Sequence, residues 1–283
     1  PKSGRQSYST GARIAMLLFF ALLPHLAAAF LGSSAAIPAI PIGDGVELPF
    51  VSLGTGSGQH GDVANATALW IGAGGLGIDT AFIYGDEGKI ATGIASTGTP
   101  ASSLFITTKI PCGTYVRAYA DILSNIAQLR VRKVDLTLIH FPQCFSSGSI
   151  AETWRALEDA KAAGFTRAIG LSNFGREEID ELAKSAKLWP PAINQCSLSV
   201  GYHDDVTMAH CDKLGIGYMA YSPLCGGPNG SSCRHGSVLS IPQVQSIAAA
   251  HKVSAAQVAL KWIVQQGRPL ATSVWRGGGQ QKK

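Results

Sequence analysis

Short apolar segments rich in β-branched residues recur along the chain, and stretches with apolar residues at helical spacing separate them. The pattern predicts eight β-strands, at Phe50–Leu53, Gly77–Ala81, Leu104–Lys109, Val134–His140, Thr166–Leu171, Ala192–Gln195, Gly217–Tyr221 and Pro269–Ser273. It predicts helices over residues 120–130, 151–163, 176–186, 204–214 and 242–250. Gly164 directly follows the second of these helices, where a helix commonly ends.

The alternation of strands and helices predicts an α/β fold with parallel strands joined by right-handed crossovers. Eight such units close into a (β/α)8 TIM barrel, which typically needs ~250 residues. The competing fold, an open doubly wound sheet, needs a glycine fingerprint after its first strand and an acidic residue ~20 positions later. The glycine-rich segment Leu53–Gly58 has neither that spacing nor that acid. We therefore predict a barrel over residues 38–275.

Four polar residues lie at or just beyond the ends of successive predicted strands. They are Asp79, Tyr84, Lys109 and His140, and the carboxyl ends of barrel strands are where catalytic residues gather. Each residue alone has an ordinary interpretation, as a loop cap, a packed aromatic, a surface charge or a core histidine. Their combination at three neighbouring strands indicates a catalytic group.

Reduction of a carbonyl by hydride requires a proton for the oxygen as negative charge develops there. A free phenol, with a pKa of ~10, is a poor acid at neutral pH, and a nearby ammonium lowers that pKa. We predict that Tyr84 is the acid, that Lys109 tunes its pKa, and that Asp79 orients Lys109. His140 is predicted to donate a hydrogen bond to the substrate carbonyl.

The composition excludes several classes of function. Hydrophobic residues make up 46% of the chain and charged residues 14%, which argues against disorder. Six of the 23 basic residues lie in the two tails, which leaves 17 basic against 18 acidic residues and no basic face for a nucleic acid. No Cys/His spacing resembles a metal site. The six cysteines contain no CxxC pair, and we expect most of them to be ordinary buried thiols.

Residues 1–37 are predicted to be a targeting leader. The apolar run Ile14–Phe30 follows Arg13 and ends in small residues, as in a secretory signal peptide cleaved near Ala27 to Ala29. This ending also resembles the junction of plastid-targeting leaders in some algae. Pro24 and His25 interrupt the run and disfavour a membrane span. The predicted location is the secretory pathway or the plastid, and the alternative is the cytoplasm.

The chain resembles the aldo-keto reductases over roughly residues 46 to 274. The run Arg167–Phe174 is especially specific to that family. The other matching stretches, in family order, are Gly77–Gly85, Leu104–Lys109, Asp135–Pro142, Thr153–Asn173, Ala192–Gln195 and Ala220–Leu224. The resemblance implies a (β/α)8 barrel that binds a nicotinamide cofactor, usually NADPH, in an extended form.

The resemblance also assigns roles to particular residues. It makes Asp79, Tyr84, Lys109 and His140 the catalytic tetrad. Ser172, Asn173 and Gln195 would bind the nicotinamide amide, Tyr221 would stack on its ring, and Ser222 and Leu224 would contact the pyrophosphate. Gly54 and Thr55 match the first-strand loop that approaches the cofactor. In the alternative interpretation, Asn173 and Ser222 only shape loops.

The chain departs from the family pattern at three places. Phe141 stands where the family usually has Trp, and Gly74–Gly77 replaces larger or basic residues. After Thr272–Arg276 the chain continues as Gly-Gly-Gly-Gln-Gln-Lys-Lys, and Arg276 is the one candidate for the 2′-phosphate of NADPH. We therefore predict that the barrel lacks its last helix and C-terminal loop, with residues 276–283 disordered. The choice between NADPH and NADH stays open.

The leading functional hypothesis is an oxidoreductase that transfers a hydride from NADPH to a small aldehyde or ketone. One alternative is a nucleotide-binding regulatory protein on the same fold, similar to the potassium-channel β subunits. The other is an inactive, truncated barrel. Fold analogy does not name a substrate, and the oligomeric state is not predicted.

Overall fold

The computed structural model describes residues 38–56, 62–144, 147–225 and 237–273. The strands within these ranges are β1 Ala39–Pro41, β2 Glu47–Pro49, β3 Val51–Gly54, β4 Gly77–Asp79, β5 Phe105–Cys112, β6 Val134–Cys144, β7 Thr166–Ser172, β8 Ile193–Ser197, β9 Gly217–Tyr221 and β10 Leu270–Thr272. The α-helices are α1 Val63–Gly72, α2 Glu87–Thr97, α3 Tyr115–Leu129, α4 Ile150–Ala162, α5 Arg176–Ala183, α6 Asp205–Leu214, α7 Pro242–His251 and α8 Ala255–Gln265. None of these helices is both long and apolar enough to cross a membrane.

Eight parallel strands close into a barrel in the order β10-β3-β4-β5-β6-β7-β8-β9, with β9 paired to β10. Every crossover between consecutive barrel strands contains a helix, and the last crossover contains both α7 and α8. The predicted (β/α)8 barrel is thereby confirmed. The predicted leader at residues 1–37 and nearly all of the predicted C-terminal truncation fall outside the described residues.

A two-stranded hairpin, β1 and β2, closes one end of the barrel. Its residues Ile42, Val46 and Leu48 are buried in one cluster with Phe105 and Ile193, which lie at the beginnings of barrel strands. The sequence pattern did not predict this hairpin. Because it covers the end where the strands begin, the polar residues of the barrel interior open toward the opposite end.

The helices pack around the barrel through a second apolar cluster. Trp154 and Leu157 of α4 and Ile122 of α3 are buried in it, as are the outward-facing residues of the strands. Burying a side chain of this kind stabilises the fold by about 1.5–3 kcal/mol. Side-chain hydroxyls cap these helices: Thr114 accepts from a backbone N–H of α3, and Ser149 from one of α4.

Three helices, α1, α2 and α8, were not predicted. In α2 the glycines and β-branched residues lower the intrinsic helix propensity, and packing overrides it. Gly93 shows why α2 needs a residue without a side chain at this position. A Cβ at Gly93 would lie 2.4 Å from the carbonyl oxygen of Ala64, so the absence of a side chain lets α1 and α2 approach closely.

The strands β5 and β6 extend beyond their predicted ends at Lys109 and His140, as far as Cys112 and Cys144. After a bulge the two strands pair again, and the Cα atoms of Cys112 and Cys144 lie 4.5 Å apart. That separation is within the range that a disulfide requires, and the two cysteines are bonded. Extended strand pairing, which spacing alone does not reveal, is the reason that the sequence missed this bond.

The expectation that most cysteines are buried thiols was therefore wrong for part of the set. Cys112 and Cys144 form a disulfide, and Cys225 is also disulfide-bonded. Cys196 and Cys211 are free and buried, as expected. The Cys112–Cys144 bond encloses α3 and the part of β6 that carries His140, so it constrains the segment between two predicted catalytic residues.

We predict that replacing both cysteines, as Cys112→Ser with Cys144→Ser, lowers the free energy of unfolding by about 3–4 kcal/mol. The reason is that a cross-link across 32 residues removes loop entropy from the unfolded chain. Urea unfolding of the parent and the double variant, each with and without reductant, is the measurement. The difference between the two proteins should vanish under reduction. A difference that persists in reductant would mean that packing of the side chains, not the cross-link, stabilises the fold.

Candidate active site

Lys109 lies inside the barrel with 1% of its surface exposed, and its ammonium pairs with a buried carboxylate. The Nζ atom donates to Oδ1 of Asp79 at 2.5 Å and to the carbonyl oxygen of Thr80 at 3.0 Å. Asp79 is the last residue of β4. Lys109 is not the last residue of β5, as the sequence suggested, but lies within the longer strand.

The second carboxylate oxygen of Asp79 accepts a hydrogen bond from across the barrel. Gln195 of β8 donates from Nε2 to Oδ2 of Asp79 at 2.7 Å, and the same nitrogen lies 3.2 Å from the sulfur of Met219. Gln195 was predicted to bind a cofactor amide. In the structure its amide is a partner of the ion pair, so β8 is tied to β4 and β5 through Asp79.

Tyr84 lies at the end of a short 3₁₀ helix, Phe82–Tyr84, next to the ion pair. The Nζ atom of Lys109 is 5.5 Å from the centroid of the Tyr84 ring. The His140 ring approaches the same phenol edge-on, with a centroid separation of 5.6 Å. The structure therefore brings all four predicted catalytic residues together.

His140, like Lys109, lies within a strand that continues past its predicted end. Its ring is buried and stacks on Phe141 at 4.6 Å between centroids, and its Nδ1 atom has no hydrogen-bond partner. Burial, aided by the charge of Lys109, lowers the pKa of His140 to about 3. The imidazole is therefore neutral at physiological pH and retains one N–H donor.

The phenol and the ammonium are both held in their protonated forms. Burial raises the pKa of Tyr84 above its usual value, and this effect exceeds the lowering by the Lys109 charge. For Lys109, burial acts to lower the pKa, but the charges of Asp79 and Tyr84 outweigh it and the net pKa is raised. The charge of Lys109 does act to lower the pKa of Tyr84, as expected, but the prediction did not include the larger effect of burial.

Ser172, Asn173 and Tyr221 form a hydrogen-bonded chain at the ends of β7 and β9. The hydroxyl of Tyr221 donates to Oδ1 of Asn173 at 2.7 Å, and Nδ2 of Asn173 donates to the carbonyl oxygen of His140 at 2.9 Å. Nδ2 also donates to Oγ of Ser172 at 3.0 Å, and that hydroxyl donates to the carbonyl oxygen of Gln195 at 2.8 Å. Asn173 has a left-handed backbone, with φ of 63°, a conformation that asparagine tolerates better than most residues.

The remaining predicted cofactor residues lie on the loops at the same end of the barrel. Gly54 ends β3, and Thr55 after it donates its backbone N–H to the carbonyl oxygen of Asp79 at 3.0 Å. Ser222 and Leu224 follow β9, and Ser222 has a left-handed φ of 52°. Gly54, Ser222 and Leu224 therefore lie on the loops at this end of the barrel, whereas Thr55 is buried against the backbone of Asp79.

Sequence reasoning missed several residues that shape the site. Asn125 of α3 donates from Nδ2 to the Thr108 hydroxyl at 2.8 Å, which fixes β5 beside Lys109. Gly56 lies against the phenol: a Cβ there would be 2.7 Å from Cζ and 2.8 Å from the hydroxyl oxygen of Tyr84. The glycine-rich segment after β3 was the available signal, but its meaning depends on the position of Tyr84.

The aldo/keto reductase family model matches residues 52–277. The chain belongs to the aldo-keto reductase family. Members of this family are NAD(P)H-dependent oxidoreductases. An aldo-keto reductase of Mycolicibacterium smegmatis is 33% identical over 242 residues, which cover 83% of this chain and 80% of that protein.

Two further relatives show the breadth of the likeness. Morphine 6-dehydrogenase of Pseudomonas putida is 35% identical over 231 residues, covering 80% of this chain and 77% of the relative. The crystal structure of the Bombyx mori aldo-keto reductase AKR2E4 in complex with NADP has a TM-score of 0.77 and 29% identity. That comparison covers 85% of this chain and 84% of the other.

We predict that Gly56→Ala lowers turnover of an aromatic aldehyde with NADPH roughly 10- to 100-fold, because the new methyl group displaces the Tyr84 hydroxyl. The matched control is Gly72→Ala, since a Cβ at Gly72 meets nothing within 4 Å. Initial rates and thermal unfolding of both variants are the measurements. Unchanged turnover in folded Gly56→Ala would show that the phenol does not need its observed position.

Proposed function

We propose that this enzyme reduces the carbonyl group of a small aldehyde or ketone with NADPH, and that Tyr84 is the general acid. The observation that carries the proposal is the phenol of Tyr84 held between a buried ammonium, Lys109, and a neutral imidazole, His140. Family membership and the NADP complex of the Bombyx mori relative support the choice of cofactor.

The donor groups at the mouth of the barrel fit a nicotinamide nucleotide. Ser172, Asn173 and Gln195 supply a hydroxyl and two amides at the ends of β7 and β8, which suit the polar carboxamide. Tyr221 is partly exposed beside them, so that its ring can cover the nicotinamide face. Ser222 and Leu224 on the following loop would meet the pyrophosphate, and Gly54 and Thr55 border the same opening. The bound nucleotide would supply the hydride.

The protein's own groups handle the proton. As negative charge develops on the substrate oxygen, the Tyr84 hydroxyl donates its proton to it and becomes a phenolate. The ammonium of Lys109 stabilises that phenolate, because opposite charges attract strongly in a buried site. Asp79 keeps Lys109 charged and in place at 2.5 Å. The neutral His140 donates a hydrogen bond to the same oxygen, which orients the carbonyl.

We also propose that the chain matures in an oxidising compartment, consistent with the predicted leader. The Cys112–Cys144 disulfide and the bonded Cys225 support this, because disulfides are rare in reducing compartments. Thiol alkylation in intact cells followed by mass measurement is the test. Alkylation of Cys112 and Cys144 would contradict the proposal, whereas their protection would support it.

We predict that Tyr84→Phe lowers turnover by about 10²–10⁴-fold, because general acid catalysis contributes about that factor. Binding of NADPH should change by no more than a few fold, since the ring is retained. The measurement is oxidation of NADPH with a reactive aromatic aldehyde, together with calorimetric binding of the nucleotide. Tyr119→Phe is the matched control, because Tyr119 stacks on Tyr115 away from the site.

Four outcomes separate the competing functions. Turnover in the parent and in Tyr119→Phe, but not in Tyr84→Phe, supports a reductase that uses Tyr84. Equal turnover in all three proteins would contradict the role of Tyr84. A folded parent that binds NADPH without turnover would favour the regulatory alternative, and one that binds no nucleotide would favour an inactive barrel.

The pH dependence of reduction follows from the raised pKa of Tyr84. The phenol must be protonated to act as an acid, so activity is lost as the pH rises through its pKa. Because burial raises that pKa, kcat/KM should stay level through the neutral range and fall only above about pH 10. A basic limb with its midpoint about one pH unit below the usual phenol pKa of ~10 would contradict the predicted direction of the shift.

A further inference from the structure

Two buried carboxyl groups follow Tyr84 in the chain, separated from it by Gly85 alone, and the mechanism above does not use them. Asp86 is 3% exposed and Glu87 is fully buried, at the beginning of α2. Neither carboxylate oxygen of Glu87 nor Oδ2 of Asp86 makes a well-formed hydrogen bond. Backbone N–H groups at the beginning of α2 and the Thr55 hydroxyl are close enough to favour the charged forms. Burial of carboxyl groups without well-formed hydrogen bonds is costly, so their location beside the tetrad calls for a functional explanation.

Thr80 connects Asp86 to the ion pair. Its hydroxyl donates to Oδ1 of Asp86 at 2.8 Å, while its carbonyl oxygen accepts from Nζ of Lys109 at 3.0 Å. Thr80 is fully buried and follows Asp79 in the chain. One residue therefore contacts the ammonium through its backbone and the second carboxylate through its side chain.

Lys89 and Lys109 are the two cations that favour the Asp86 anion, and of these two Lys109 is the buried one. Lys89 on the same helix is exposed, and Arg117 of the neighbouring α3 pairs with Asp121. Burial raises the pKa of Glu87 to about 7, so that group is largely protonated only in acidic solution and is ionised in the basic range. Burial raises the pKa of Asp86, and this effect exceeds the opposing effects of the Thr80 and Thr55 hydroxyls and of the charges of Lys89 and Lys109, which favour the anion.

We propose that Asp86 is a positioning residue for carbonyl reduction, which acts as an anion through Thr80 and Lys109. Its hydrogen bond with the Thr80 hydroxyl holds the carbonyl oxygen of Thr80 against the ammonium. Its negative charge adds to that of Asp79 behind Lys109 and opposes formation of the Tyr84 phenolate. The phenol therefore keeps its proton until the substrate oxygen accepts it. The inference rests on the proposed function.

The two roles of Asp86 can be separated by substitution. Asp86→Asn removes the charge but keeps an oxygen that accepts from Thr80, so the pKa of Tyr84 should fall. Thr80→Val removes the hydroxyl, while the charge of Asp86 and the shape of the side chain at position 80 are kept. Asp121→Asn is the matched control, because Asp121 is similarly buried on α3 but does not border the tetrad.

The experiment is the pH profile of kcat/KM for an aromatic aldehyde at saturating NADPH, for the parent and all three variants. We expect the basic limb of Asp86→Asn to move to lower pH by on the order of half a pH unit. A shift of that size is what removal of one nearby negative charge produces in the pKa of a phenol that it does not contact. Thr80→Val should lower kcat several-fold, on the scale of one lost hydrogen bond, without moving the limb. Asp121→Asn should leave the profile in place.

Each outcome decides a definite point. An active parent with the same basic limb in Asp86→Asn would overturn the inference alone, as would an equal shift in Asp121→Asn. If Asp86→Asn fails to fold, an unchanged kcat in folded Thr80→Val would overturn it. A parent without turnover at any pH would overturn the proposed function and the inference with it.

Discussion

The buried ion pair between Lys109 and Asp79 is the interaction on which the site depends. A lone ammonium inside a barrel would cost several kcal/mol, and removal of either partner leaves the other charge uncompensated. Asp79 neutralises the ammonium at 2.5 Å, and Thr80 and Gln195 complete the hydrogen bonds of the pair. These contacts join β4, β5 and β8, so the groups that make the buried charge tolerable also hold the barrel strands in register.

The architecture directs this charged centre toward one opening. The β1–β2 hairpin covers the end of the barrel where the strands begin, and its buried apolar residues pack with the first residues of β5 and β8. At the other end β5 and β6 continue past Lys109 and His140 and are cross-linked at Cys112 and Cys144. The Asn173 side chain then links the end of β6 to Tyr221 on β9. Substrate and nucleotide are therefore expected to meet the tetrad from this side alone.

Much of the barrel was predictable because each strand is a short β-branched run between helical segments. The tetrad was predictable because its members lie at the ends of three of the predicted strands or just after them. The β1–β2 hairpin, α1 and α2 were not, since their formation depends on packing rather than propensity, as Gly93 illustrates. Gly56, Thr80 and Asp86 carry no motif of their own, and their importance follows only from distances to Tyr84 and Lys109. The Cys112–Cys144 disulfide was missed because the sequence spacing does not show that the ends of β5 and β6 lie side by side. The predicted direction of the shift in the Tyr84 pKa was wrong, because burial of the phenol, which only the fold shows, raises that pKa.

The most direct test of the role of the ion pair is a double-mutant cycle in kcat/KM with Lys109→Met, Asp79→Asn and the double variant. If Asp79 acts through Lys109, the double variant should lose no more activity than Lys109→Met alone, because contacting residues are not additive. Losses that multiply would show that Asp79 and Lys109 act independently, and would contradict the central role given to their ion pair.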